Sequence, residues 1–380
     1  MSAAELVGLV ALFLTGVVLV IWCVEVFIEA VARSAVSLGI SGFFLAVVLA
    51  GIDLENAILG VTAAFVDLPT LALGTVFGES LFVLAVAVGV AGLAVPFRMA
   101  VPRIYLLLLV LVPLPAFLLS IDGTLDWTDG ALLTALFVPL LAGIFWRERR
   151  SETTFLLSGE VEEVVDLEAD AETAGASGTT ANADAGAEPN GGDRAPAPDR
   201  DPERAADRHA RSDRDADLDL DLDLDEFVPD LEGKSGRFSL AVALLAIVGM
   251  TVGSGLTVVS AEGIFVALGI SGLAFGATVL SFIASIEELA LTVEPVRQGR
   301  AHLAVGNVVG STVFYVTANV GVIALLRPVD TAGAVMTVHW PFLAACLLVV
   351  AGLFARGRVT RAGGAALLAL YVGYWIANYA

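Results

Sequence analysis

Five carboxylates stand in stretches otherwise built of Leu, Val, Ala, Phe and Gly: Asp53, Glu55, Glu79, Glu287 and Glu288. No Lys or Arg lies deep inside the same stretches to neutralise them. A charged side chain at the centre of a hydrocarbon layer costs roughly 3 kcal/mol or more, even on lenient insertion scales. Five such groups persist only if they are protonated, hydrated in a cavity or neutralised by bound cations. Asn56, Thr75, Ser285, Asn307 and Ser311 supply neutral oxygens nearby. Carboxylate, hydroxyl, amide and backbone carbonyl together are the ligand mixture that hard cations such as Ca2+ and Na+ take. The candidate metal ligands are therefore Asp53, Glu55, Asn56, Glu79, Ser285, Glu287, Glu288, Asn307 and Ser311. Adjacent helix positions differ by about 100°, so one of Glu287 and Glu288 points partly away. Glu25 and Glu29, one turn apart near the end of the first apolar run, fit a vestibule or a partner for Arg33 better than a ligand set.

An internal repeat brings these residues into register. Ala72–Pro96 reads ALGTVFGESLFVLAVAVGVAGLAVP, and Ala304–Pro328 reads AVGNVVGSTVFYVTANVGVIALLRP. A constant offset of 232 matches Gly74 with Gly306, Gly78 with Gly310, Phe82 with Phe314, Gly89 with Gly321 and Pro96 with Pro328. The same offset pairs Asp53 with Ser285 and Glu55 with Glu287, and upstream Leu38–Gly42 (LGISG) recurs at Leu268–Gly272. Chance resemblance between glycine-rich apolar helices does not hold one offset over so long a stretch. The glycines, with Gly51, allow close helix approach and local unwinding.

The elements that must position these groups are membrane spans. The chain has 380 residues, of which 57% are hydrophobic, with a mean hydropathy of +0.86. Apolar runs place helices near 4–28, 35–63, 70–94, 102–120 and 129–146, then near 237–259, 264–295, 302–326, 335–355 and 362–379. Each is long enough, or nearly so, to cross a hydrocarbon layer roughly 30 Å thick. The second and seventh are overlong and carry carboxylates, which suits tilted or broken helices. This is an all-α polytopic membrane protein of about ten transmembrane helices in two five-helix repeats. Five spans separate the copies, so the repeats are inverted and their shared site lies near the midplane.

Orientation follows from the basic residues. With the N-terminus outside, Arg33, Arg98, Arg103, Arg147, Arg149, Arg150, Lys234, Arg237, Arg297, Arg300, Arg356, Arg358 and Arg361 gather on the inner side, against Arg327 alone on the outer. Both termini are predicted outside. The first apolar run lacks a basic n-region and a small-residue cleavage site, so it reads as a retained helix. Cys23 and Cys346 sit in apolar runs as small core residues. Of the 41 acidic residues, 26 fall between Glu148 and Glu232, which divides the chain into a first membrane unit (1–147), an acidic cytoplasmic linker (148–236) and a second membrane unit (237–380). The linker's Asp-Leu run (Asp217–Asp225) lacks the Gly and terminal Glu of a calcium loop, and it reads as a mostly disordered, solvated tether.

The motifs resemble those of the sodium/calcium exchanger group of the calcium/cation antiporter superfamily. That family carries G-T-S-L-P-E on one helix of each repeat and G-N-x-x-G-S-N-x-F-N on the next. Here the second repeat reads IASIEEL (Ile283–Leu289) and GNVVGSTVFY (Gly306–Tyr315), and the first reads GIDLENA (Gly51–Ala57) and GTVFGESLFV (Gly74–Val83). The resemblance gives Glu288 the place of the family's ion-binding Glu, and Ser285 and Ser311 the places of its Ser ligands. In the first repeat Asn56 fills the Glu position, unless a one-residue shift lets Glu55 serve, and Asp53 and Glu79 fill the Ser positions. The family's Pro is Glu55 in one copy and Glu287 in the other, and its last Asn or Asp is Val83 or Tyr315.

The resemblance implies a secondary cation antiporter of the cell membrane, exchanging sodium for calcium at a midplane site. Its partners are membrane lipid and inorganic cations, without cofactor or nucleic acid. Two alternatives stay open: a cation/proton antiporter, in which the crowded Glu287/Glu288 or Asp53/Glu55 pairs trade protons, and a non-transporting membrane scaffold or sensor. An ATP-driven pump does not fit, because the sequence has no phosphate-binding Gly-rich loop followed by Lys. No enzymatic activity is expected.

Overall fold

A computed structural model describes residues 2–38, 53–148, 150 and 236–380. The described residues are helical apart from turns and four two-residue strands. In chain order the helices are α1 (Ala3–Leu38), α2 (Leu54–Phe65), α3 (Pro69–Ala94), α4 (Arg103–Asp122), α5 (Trp127–Glu148), α6 (Gly236–Leu268), α7 (Gly272–Ala284), α8 (Ile286–Arg297), α9 (Ala301–Leu326), α10 (Val335–Ala355) and α11 (Arg361–Tyr379). Seven are long and apolar enough to cross a membrane, and an eighth span is counted if α7 and α8, bent by 49° at their junction, are taken as one. That bend is the break expected in the seventh apolar run. The matching run in the first half is described only from Asp53 onward; residues 39–52, with Gly51 and most of the first LGISG copy, lie outside the described residues, as do 151–235 of the linker.

Several boundaries differ from the hydropathy reading, and the starts of the second and seventh runs shift with the ends of the helices before them. The first helix, expected over 4–28, continues to Leu38, and the sixth, expected over 237–259, continues to Leu268. Polar residues such as Glu29 and Glu262 interrupt hydropathy without interrupting helical geometry. The sixth ends where a glycine permits the left-handed turn, at Gly269 with φ +70°. Ser271 then caps α7, its hydroxyl accepting from the Ala274 amide at 3.1 Å. The two long helices α1 and α6 pack along one another, with Gly16 and Gly253 face to face.

The centre is built from α3 and α9. Each is 89% buried over its apolar window, against 22–44% for the other spans, so these two are enclosed by protein while the rest face outward. They are the helices related by the offset of 232, and both carry a π-helical turn at the matching place, Phe82–Ala87 and Tyr315–Asn319. Wide turns of this kind are frequent at functional sites. The strands echo the repeat. Phe97–Arg98 (β1), after α3, pairs with Arg358–Val359 (β4), between α10 and α11. Val329–Asp330 (β3), after α9, pairs with Thr124–Leu125 (β2), between α4 and α5. Each half thus clasps the other through equivalent connections.

Backbone contact brings the halves together at α3 and α7. A β-carbon on Gly74 would strike the Leu273 carbonyl oxygen, and one on Gly276 the Leu71 carbonyl oxygen. With no hydrophobic drive between helices in lipid, such close approach lets dispersion forces hold them.

Candidate cation site

The site begins at a helix start. Asp53 is the N-cap of α2: its Oδ1 accepts from the Asn56 amide N–H at 2.9 Å and its Oδ2 from Asn56 Nδ2 at 2.6 Å. Capping satisfies one of the orphan donors of the first turn and fixes the carboxylate in place. In the other half the chain bends at Ser285, and α8 starts there with Glu287 and Glu288 in its first turn. Glu288 therefore sits where one membrane-embedded helix breaks and the next begins, and in both halves the acids lie at a helix start, whose partial positive charge faces them.

Glu288 is held from α9. Its Oε2 accepts from Asn307 Nδ2 at 2.5 Å and its Oε1 from the Ser311 hydroxyl at 3.0 Å. Asn307 also reaches Thr292 Oγ1 at 3.4 Å. One more side chain joins the two halves. The Tyr315 hydroxyl donates to Asp53 Oδ2 at 2.5 Å, lies 3.3 Å from Glu288 Oε1 and accepts from Asn56 Nδ2 at 3.3 Å. Tyr315 is fully buried.

The predicted residues divide accordingly. Asp53, Asn56, Glu288, Asn307 and Ser311 meet in one hydrogen-bonded network. Glu55, Glu79 and Ser285 are buried beside it, and the Glu55 Oε1, both Glu79 carboxyl oxygens and the Ser285 hydroxyl have no hydrogen-bond partner among the described residues. Glu287 is half-buried next to Glu288. Asp53, Glu55, Glu79 and Glu288 are close enough for their charges to act on one another. The ion pairs Arg297–Glu294 and Arg327–Asp67 sit instead at helix ends. Among the described residues no three Asp, Glu, His or Cys side chains close on a single point; the acids are spaced by amides and hydroxyls. Thr75, counted among the neutral oxygens, turns its hydroxyl to the Ala72 carbonyl of its own helix at 2.8 Å.

Sequence reasoning missed Tyr315 and Thr292 as members of the network. Tyr315 carried a signal, since it stands where the related pattern has Asn or Asp. Thr292 carried only its place one helical turn after Glu288. Asn319, one turn beyond Tyr315, is also buried, with neither amide atom partnered among the described residues, and it faces Gly60 of α2, where a β-carbon would come within 2.8 Å of its oxygen.

The chain matches the family model described as sodium/calcium exchanger protein over residues 8–146 and 238–380. It is 25% identical over 371 residues to a putative antiporter, CaxA, of Alkalimonas amylolytica, covering 95% of each chain. Over 118 residues it is 30% identical to the sodium/calcium exchanger MaX1 of Methanosarcina acetivorans, covering 30% of this chain and 34% of that one. The fold resembles that of the sodium-calcium exchanger NCX_Mj, soaked with Na+ and Sr2+, with a TM-score of 0.51, 20% identity and 97% of each chain covered.

Proposed function

The chain belongs to the sodium/calcium exchanger protein family, and from that premise we propose that it exchanges sodium for calcium at the network around Asp53 and Glu288. The observation that carries this reading is that acids from both sequence copies converge on one buried hydroxyl, ringed by amide and hydroxyl donors. A net acidic site takes either two monovalent ions or one divalent ion, and their competition couples the two fluxes. The site alternates its access as the halves 1–147 and 237–380 rearrange about it, and the acidic segment 148–236 tethers them on the cytoplasmic side. Asp53, Glu55, Glu79 and Glu288 supply charge; Asn56, Ser285, Asn307 and Ser311 supply neutral donors and oxygens; Glu287 lines the approach.

A second reading has one observation in its favour. Glu55 and Glu79 present buried carboxyl oxygens with no partner among the described residues, and a proton neutralises such a group as well as a metal ion does. Ca2+ uptake by Na+-loaded proteoliposomes tests the main reading. Uptake driven by a pH gradient in the absence of Na+ supports proton exchange instead, and absence of both fluxes supports a non-transporting membrane protein.

A further inference from the structure

The hydroxyl of Tyr315 engages the oxygens that a shared cation needs. Asp53 Oδ1 is taken up by the Asn56 amide, and its Oδ2 by both Asn56 Nδ2 and Tyr315. Glu288 Oε2 receives Asn307, while its Oε1 receives Ser311 and lies 3.3 Å from the same phenol. A hydroxyl has one proton to donate, and its contact to Asp53, at 2.5 Å, is much shorter than the 3.3 Å to Glu288. Its oxygen accepts from Asn56. The group is thus saturated by the protein on both sides, and it spans the seam between the two halves.

This arrangement exists once, although the repeat occurs twice. The counterpart of Tyr315 at the offset of 232 is Val83, in the matching π-helical turn of α3. Val83 has no polar atom, so the bridge breaks the internal symmetry at the point where the acids meet. Tyr315 does not return to its own helix for a hydrogen-bond partner, as Thr312 and Thr317 beside it do. A purely structural phenol buried in a helix bundle is satisfied by any acceptor. This one is placed between carboxylates of opposite halves.

We propose that Tyr315 is a positioning residue that sets cation affinity by competition: its hydroxyl ties up Asp53 within 3.3 Å of Glu288, and a cation binds between the two carboxylates only as that tie is released. The proposal rests on the reading of this network as the cation site. Carboxylate hydrogen bonds are among the stronger ones in proteins, so the tie weakens cation binding by the stability it gives the unliganded protein. It also makes release easier, which an antiporter requires on each side of its cycle.

The test is the thermal unfolding midpoint of purified full-length protein, titrated with Ca2+ and separately with Na+. In Tyr315→Phe the midpoint without cation is expected to fall, the midpoint at saturating cation to stay, and the apparent affinity to tighten by roughly tenfold. An equal fall at both ends marks a structural cross-link and overturns the proposal. Weaker binding also overturns it, because the phenol oxygen would then be a ligand. A ring-fluorinated tyrosine at 315 keeps the shape and strengthens the donor, so its expected effect is the opposite, weaker cation binding; unchanged or tighter binding there counts against the tie even if the Phe variant folds poorly. Glu288→Gln separates the two levels. Loss of the cation response in that variant alongside an unmoved Tyr315→Phe removes only the role of Tyr315. A full response in Glu288→Gln removes the site and the tie together.

Discussion

Gly74 meets Leu273 through backbone alone, with no room for a β-carbon between the glycine and the leucine carbonyl. The contact joins α3 to α7, the helix that leads into the bend at Ser285 and so into Glu288. Gly74→Ala must push these helices apart or shift one along the other. The expected result is a loss of about 1–3 kcal/mol of stability, the usual cost of overpacking, together with weaker cation stabilisation. Gly143→Ala, inside α5 at a position with nothing within 4 Å of the added carbon, serves as the control and should leave the midpoint no lower, because Ala suits a helix interior better than Gly. Denaturation midpoints of both variants check this.

Glu288→Gln keeps shape and much of the hydrogen bonding while removing the charge that attracts a cation. Binding should weaken by at least tenfold, since about 1.4 kcal/mol already gives that factor. The protein without cation should be no less stable, because a buried charge met in the described network by neutral donors alone has gone while much of its hydrogen bonding stays. A structural role predicts the reverse on both counts. Cation-dependent thermal shifts of Glu288→Gln, with Glu29→Gln as a variant outside the network, distinguish the two.

Much of this was legible beforehand, for physical reasons that also mark where legibility stops. Hydropathy and the offset of 232 located the helices and the acids, because lipid forces each span to be apolar and makes every exception conspicuous. The break before Glu288 was readable from an overlong run containing carboxylates. The continuation of α1 to Leu38 was not, since a helix leaving the membrane keeps its backbone pattern while its side chains turn polar. Asn56 was read as a ligand from its position; that its amide nitrogen donates to Asp53 while its carbonyl oxygen has no partner among the described residues depends on the fold rather than on spacing. Tyr315 was visible as a departure from a pattern, but its reach to Asp53 depends on how closely α9 approaches α2. No one-dimensional spacing encodes that distance.

Topology is the next expectation. The arginine asymmetry puts both termini outside and residues 151–236 in the cytoplasm. In intact cells, an impermeant thiol reagent should therefore modify a cysteine at Ser2 and spare one at Ser177. The opposite pattern inverts the orientation and, with it, the side to which Arg327 belongs. Native Cys23 and Cys346 are buried and contribute little background.

The linker should be dispensable for exchange. Deleting residues 165–225 removes the Asp-Leu run and leaves both repeats whole. Ca2+ flux and its concentration dependence are expected to persist within about twofold, the scatter that a few tenths of a kcal/mol produces. Loss of Ca2+ dependence in a deletion variant that still folds assigns the acidic run a regulatory role.

Glu79 gives the sharpest test of how charge sets ion choice. It is fully buried on α3, and neither carboxyl oxygen has a hydrogen-bond partner among the described residues, an arrangement that costs about 1–3 kcal/mol or more for a polar group left unsatisfied. The related pattern has Ser at this position, so the acid, once ionised, adds one negative charge to the proposed site alongside Asp53 and Glu288. A divalent ion gains about twice as much from that charge as a monovalent ion at the same distance, because Coulomb energy scales with ion charge. Glu79→Gln should therefore weaken the Ca2+ response more than the Na+ response while raising the stability of the protein without cation. Glu79→Ser should do the same with less gain in stability, since it also leaves a cavity. Thermal shifts with Ca2+ and Na+ on both variants measure the two effects separately. Equal weakening for the two ions means that Glu79 holds the site in shape rather than charging it, and no weakening for either means that α3 contributes packing alone.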